Sequence, residues 1–218
     1  MIGWVALLLL MQEVNGPVPQ GRTADERPAP FPDVYEEMDR AVTPASREAM
    51  AVFAGCVLER SAERARSLLT ADFTRTSYRN GLTNLSRSNE DCFRRTGERV
   101  MRATGLALAA AMAEHLIEQD PSPLNARLAR AAVGKPARTY APSDAAAMCV
   151  ARSAPDDVAR LFAAAPGSEA EAAAATALQP ALSACARVVG SSPIETDAYG
   201  LRSIVATAAY RLLAAQES

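Results

Sequence analysis

CVLERSAERARSLLTADFTRTSYRNGLTNLSRSNEDC, residues 56–92, decides how this chain is read, because CVARSAPDDVARLFAAAPGSEAEAAAATALQPALSAC, residues 149–185, follows the same frame. Both stretches open on Cys-Val and close on a cysteine 36 positions later. A single offset of 93 positions pairs Leu68 with Leu161, Thr83 with Thr176 and Leu85 with Leu178. Beyond the second cysteine it pairs Arg94 with Arg187, Gly97 with Gly190, Leu108 with Leu201 and Ala113 with Ala206. Self-similarity at one long period is the signature of a duplicated supersecondary unit. The expected fold is all-α, with two tandem copies of a three- to four-helix unit.

Four cysteines permit three pairings. The duplication selects Cys56–Cys92 and Cys149–Cys185, one disulfide inside each copy. No CxxC occurs, and the two pairs lie too far apart in sequence for a local zinc site. Structural cross-links of this kind belong to an oxidising compartment. Ala51-Val52-Phe53-Ala54-Gly55-Cys56 superficially matches a lipid-attachment box. Arg47 and Glu48 interrupt the apolar run before it, and Cys149 holds the same place inside an ordinary helix.

Outward from the cysteines, helical spacing carries Met50, Phe53 and Val57, then Ala65, Leu68 and Leu69. Ser61 marks an expected break, matched by Ser153-Ala154-Pro155-Asp156-Asp157, where proline and acids suit a first helical turn. From Thr70 to Thr83 the pattern fades, and Asn80-Gly81 reads as a turn. Pro166-Gly167-Ser168, with Glu169 and Glu171 beyond, reads as a loop leading into a capped helix. The next helix should hold Leu85 and Cys92 in one copy, and Leu178, Leu182 and Cys185 in the other. Gly97 and Gly190 stand where a glycine C-cap is expected. The closing helices carry Leu106, Ala110, Ala113 and Ile117, and then Leu201, Ile204, Val205, Ala208 and Leu212.

The flanks differ from this body. Met1–Met11 is apolar and uncharged, too short for a bilayer span of about 20 residues, and fits a secretory h-region. Residues 1–16 are therefore expected to be a signal peptide. Residues 17–45, with six prolines, form a tail in which Asp33–Arg40 could make a turn or two of helix. Residues 46–119 make the first copy and 143–218 the second. The 120–142 linker carries one short helix over Leu124–Val133.

Composition narrows function by exclusion. Apolar residues make up 49 % of the 218 but aromatics only 5 %, so alanine supplies much of the count and thin, closely packed helices follow. Lys135 is the sole lysine among 23 basic residues, as a GC-rich genome would give. The net charge is −2. Residues 46–140 carry 15 basic and 10 acidic groups, and residues 141–218 carry 5 and 8, an asymmetry that could assist docking of the copies. No basic stripe for nucleic acid is present. No membrane span is expected after signal removal. GxGxxG, P-loop and calcium-loop patterns are absent, and no cofactor or metal is expected.

His115, the only histidine, has no nucleophile-elbow pattern near it and reads as a boundary residue. Asn89-Glu90-Asp91 reads as a helix start rather than a carboxylate pair. Arg87, Arg94, Arg95, Arg99 and Arg102 form a possible anion patch. Arg94 and Arg187 could instead serve carbonyls at a helix C-terminus.

The Cys-Val start, the Leu68-Leu69 and Leu161-Phe162 positions, the second cysteine and the Ala-rich closing helix resemble uncharacterised secreted proteins of GC-rich alphaproteobacteria. The likeness covers roughly residues 46–117 and 143–214. It implies export and brings no activity, cofactor or catalytic residue. The expected function is non-enzymatic binding of a protein or envelope component in the periplasm or outside the cell. One alternative is an enzyme with a polar site between the copies, using carboxylates, arginines or Tyr78 and Tyr199. A further one is that one copy retains a site while the other only packs against it, which would place the site at the differing loop Thr74–Asn80. Another is an anion-binding module built on the Arg87–Arg102 cluster. A deep cleft of converging titratable groups would favour the enzyme, and an apolar groove would favour binding.

Overall fold

Alanine-rich segments with leucine at helical spacing can bury themselves only by packing helix on helix, since their thin side chains let backbones approach closely. The computed structural model describes residues 42–98 and 105–217. The expected signal segment, the tail up to residue 41 and the positions of Arg99 and Arg102 lie outside the described residues.

Among the described residues there are eight α-helices, one 3-10 helix and no strand. The helices are α1 (Pro44–Thr70), α2 (Thr76–Ser88), α3 (Gly105–Glu118), α4 (Leu124–Ala132), α5 (Pro142–Ser153), α6 (Pro155–Ala163), α7 (Glu169–Val188) and α8 (Ala198–Glu217), with the 3-10 helix over Glu90–Arg95. The expected all-α class is the observed one. Both cross-links form as paired above, Cys56–Cys92 with Cα atoms 5.6 Å apart and Cys149–Cys185 at 5.7 Å.

Local chemistry sets the boundaries. α1 begins earlier than the proline content suggests, because Pro44 takes the first helical position and Thr43 Oγ1 accepts from Ser46 N–H at 3.1 Å. Ser61 leaves helical backbone at φ −144° and kinks α1 where a break is expected. α6 starts on Pro155 with Asp156 and Asp157 in its first turn, and Ser168 caps α7 through Glu171 N–H. Gly97 and Gly190 adopt φ of +74° and +70° after their helices.

The reading of 70–83 as irregular needs correction. Only the short connection around Ala71–Arg75 is non-helical, and Asn80-Gly81 lies inside α2. The glycine is there for closeness rather than for a turn. A Cβ on Gly81 would lie 2.4 Å from Leu68 Cδ2, so its absence lets α2 settle against α1. Leu85 and Cys92 also part company, the first on α2 and the second on the 3-10 helix. Asn89, buried between them, is the C-cap of α2 and stands at the N-cap of the 3-10 helix without a side-chain hydrogen bond to it. Its Nδ2 donates to Leu85 O at 2.8 Å and Ser61 Oγ at 3.2 Å, tying this break to the kink of α1. In α7 the corresponding stretch stays one helix and runs through Pro180.

α8 occupies the centre and packs against α1, α3, α4, α5, α6 and α7. Ala206, Ala208 and Ala209 on it are fully buried, which is what lets so many helices reach one axis. The expected linker helix belongs to this core too. Leu128 and Ala131 of α4 are buried, and α4 packs on α5, α6 and α8.

Candidate functional site

Two features stand apart from ordinary core. The first is a cavity of about 780 Å³ between α1, α2, α3, the start of α5 and α8. Its buried wall is apolar: Met50, Phe53, Leu69, Leu82 and Leu108. Phe73, Tyr78 and Ile204 add a half-buried ring of apolar surface. Thr83, Arg79 and Arg87 are exposed and mark the rim. They lie four residues apart on α2, so helical geometry brings all three to the same face.

At one end of the cavity Arg211 and Asp144 form a buried ion pair, with side chains 6 % and 4 % exposed. Asp144 Oδ2 also accepts from Tyr140 N–H at 2.8 Å, and Arg211 Nε donates to Thr207 O at 3.3 Å. The guanidinium faces the rings of Phe73 and Tyr140, each at 5.6 Å, and these two rings meet edge to face. Arg211 Nη1 is buried without a hydrogen-bond partner among the described residues. Tyr78 lies edge-on to Phe73, and burial raises its hydroxyl pKa against the lowering charge of Arg211, so it stays protonated at neutral pH.

The second feature is a buried charge network joining the two halves of the chain. Arg202 on α8, 4 % exposed, donates to Glu114 of α3 through Nε and Nη2, at 3.0 and 2.7 Å. Its Nη1 reaches Glu171 at 3.1 Å and the carbonyls of Leu161 and Ala164. Glu171 in turn takes a bidentate pair from Arg47 of α1 and the N–H of Gly167 at 2.7 Å. Arg47 stacks on Tyr199 at 4.6 Å. Burial would raise the Glu171 carboxyl, but the Arg47 and Gly167 hydrogen bonds and the charges of Arg47 and Arg202 outweigh it and hold it below its ordinary 4.5. Every member is satisfied by its neighbours, so the network is a structural clamp. Among the expected reactive tyrosines, Tyr199 belongs to this clamp and Tyr78 to the cavity.

The arginines of the expected anion patch have different fates. Arg87 lines the cavity rim. Arg95 pairs with Glu59 at 2.6 Å, while Arg94 lies 3.9 Å from Asp91 with its side chain 85 % exposed. Arg94 therefore pairs with a carboxylate rather than with a helix-end carbonyl. His115 is half-exposed, with Nε2 donating to Ala51 O at 2.8 Å and Glu118 4.0 Å from Nδ1. All four cysteines are consumed by the cross-links. Among the described residues no cluster of His, Cys, Asp or Glu could hold a metal ion, and no helix is long and apolar enough to cross a membrane.

Sequence reading missed the cavity and most of the clamp. Arg47, Glu114, Asp144, Arg202 and Arg211 stand singly in helical stretches, and only tertiary contact shows their partners. The one available signal was charge on Ala-rich helices: Glu114, Arg202 and Arg211 interrupt otherwise apolar faces. The fold and cavity define a disulfide-linked, all-helical protein with an internal apolar chamber. Comparison with protein-family models, curated proteins and solved structures finds no match.

Proposed function

We propose that this is an exported, non-catalytic binding protein built from a duplicated helical unit, and that its ligand is a small, largely apolar component of the cell envelope. The cavity carries this reading. Its volume falls in the roughly 300–1,000 Å³ range of small-molecule sites, and its buried wall is apolar, with polar groups at the Arg211–Asp144 end and along the α2 rim, as in such sites generally. The acid and base at that end, Asp144 and Arg211, are committed to each other, which favours binding over catalysis. Export is supported by two disulfides, which form and persist chiefly in oxidising compartments.

Duplication is supported by the helix bounds. α1 ends at Thr70 and α6 at Ala163, α2 begins at Thr76 and α7 at Glu169, and α3 begins at Gly105 and α8 at Ala198. Each pair stands at the offset found in the sequence. The cavity, however, is lined from both halves, so binding is a property of the assembled pair.

The test is titration of the oxidised protein with N-phenyl-1-naphthylamine, a neutral dye that brightens in apolar surroundings. Saturable one-to-one binding is expected. Ile204→Trp, which fills the cavity from α8, should weaken it about tenfold or more with the helical circular dichroism unchanged. A dye signal that never saturates, or that Ile204→Trp leaves intact, would remove the cavity reading.

A further inference from the structure

The lining of the cavity also states what kind of apolar molecule it suits. Arg79, Arg87 and Arg211 line it, and Asp144 is the sole acid among its described lining residues. Asp144 is already matched by Arg211. Two guanidinium charges on the α2 rim are therefore left in excess, above a wall that is apolar. Thr83 and Ser86 stand between them on the same face, adding hydroxyls. Arg79 has a long contact with the hydroxyl of its own-helix neighbour Thr76, at 3.4 Å, and no carboxylate partner among the described residues. An independent observation points the same way. Arg211, more than nine-tenths buried, keeps Nη1 without an acceptor among the described residues, beside the same chamber. An unused buried donor carries a desolvation cost that an incoming anionic oxygen would relieve. Among the described lining residues nothing offers the reverse, an unpaired carboxylate for a cationic ligand.

We infer that the ligand is a single-chain anionic amphiphile, its hydrocarbon tail against Phe53, Leu69, Leu82 and Leu108 and its head group at the Arg79–Arg87 rim. This rests on the cavity reading above and adds the charge of the ligand to it. Arg79 and Arg87 are about 12 Å apart along the α2 axis, a span two extended arginine side chains can close upon one head group. Guanidinium matches both carboxylate and phosphate geometry, so the shared chemistry is an oxyanion on an alkyl chain. A ligand of this kind meets the apolar wall with its tail and the rim charges with its head, whereas a purely apolar one would leave the rim charges unanswered.

Displacement of the bound dye separates the possibilities. Dodecanoate, dodecyl phosphate, dodecanol and dodecylammonium share one tail length and differ in head group. One or both of the anions should displace the dye at concentrations about tenfold below those needed for dodecanol, and dodecylammonium should be weakest. The stronger anion tells a carboxylate source from a phosphorylated one. Arg79→Gln/Arg87→Gln should abolish the advantage of the anions and leave dodecanol unchanged. Both positions are exposed, and circular dichroism with the thermal midpoint checks that the double variant folds. Raising salt should reduce the anion advantage, because the rim is accessible to counterions. Equal displacement by dodecanol and dodecanoate, insensitive to the double variant, would overturn the inference while leaving the apolar cavity standing. Failure of the dye itself to bind would overturn both.

Discussion

Glu171 shows what a single residue carries in this protein. Its side chain is 2 % exposed and meets Arg47 from one half of the chain and Arg202 from the other. A carboxyl held below its ordinary value contributes stability that is fully present above about pH 4.5 and is lost as pH falls through its folded-state value. Acid unfolding should therefore steepen below pH 4.5. In Glu171→Ala that part of the slope should vanish, and at pH 7 the variant should lose about 3–5 kcal/mol, because Arg47 would be left buried without its partner. Urea unfolding across pH 3–7 reads both effects. A variant as stable as the parent at pH 7 would show that water replaces the carboxylate at no cost.

Among the helices, the glycine at a helix end and the glycine within a helix answer to different forces. Gly190 sits at φ +70° with open space where a Cβ would go, so its cost of substitution is backbone alone. Gly190→Ala should destabilise by about 1–2 kcal/mol, the penalty for a left-handed L-residue. Gly81 has ordinary helical freedom, and a Cβ there would meet only the end of the Leu68 side chain, so Gly81→Leu should cost about 1–3 kcal/mol through overpacking against Leu68. Thermal midpoints of the two variants measure these costs, and an unchanged midpoint for Gly81→Leu would mean that Leu68 makes way freely. The sequence identified Gly190 correctly from its place after a helix. It misassigned Gly81 because Asn-Gly signals a turn by local propensity, whereas closeness to Leu68 is a tertiary fact.

For the whole molecule, the cross-links and the clamp divide the work. Each disulfide closes its loop within one half: Cys56–Cys92 ties α1 to the 3-10 helix, and Cys149–Cys185 ties α5 to α7. The clamp of Arg47, Glu171, Arg202 and Glu114 joins the halves, and α8 packs against both. Loops of this size confer about 4 kcal/mol each in the chain-entropy account. Paired Cys56→Ala/Cys92→Ala should lower stability by about 2–5 kcal/mol, measured by urea unfolding under oxidising conditions. The transition should remain single, because the core is shared. Two separated transitions would mean that the halves fold independently.

What the sequence determined by itself was local and periodic: helices from 3.6-residue spacing, breaks at Ser61 and Pro155, glycine caps, and the pairing of four cysteines from one internal offset. These follow from forces acting within a turn or two of helix, or from a comparison of the chain with itself. The cavity was not legible, because an apolar residue facing empty space has the same spacing as one facing a neighbour. The partners of Arg202 and Arg211 were equally hidden, since ion pairs such as Glu114–Arg202 span 88 positions and leave no periodic trace. Only tertiary packing decided which apolar faces meet and which leave a chamber, because that depends on how closely α2 can approach α1 and how many helices reach α8.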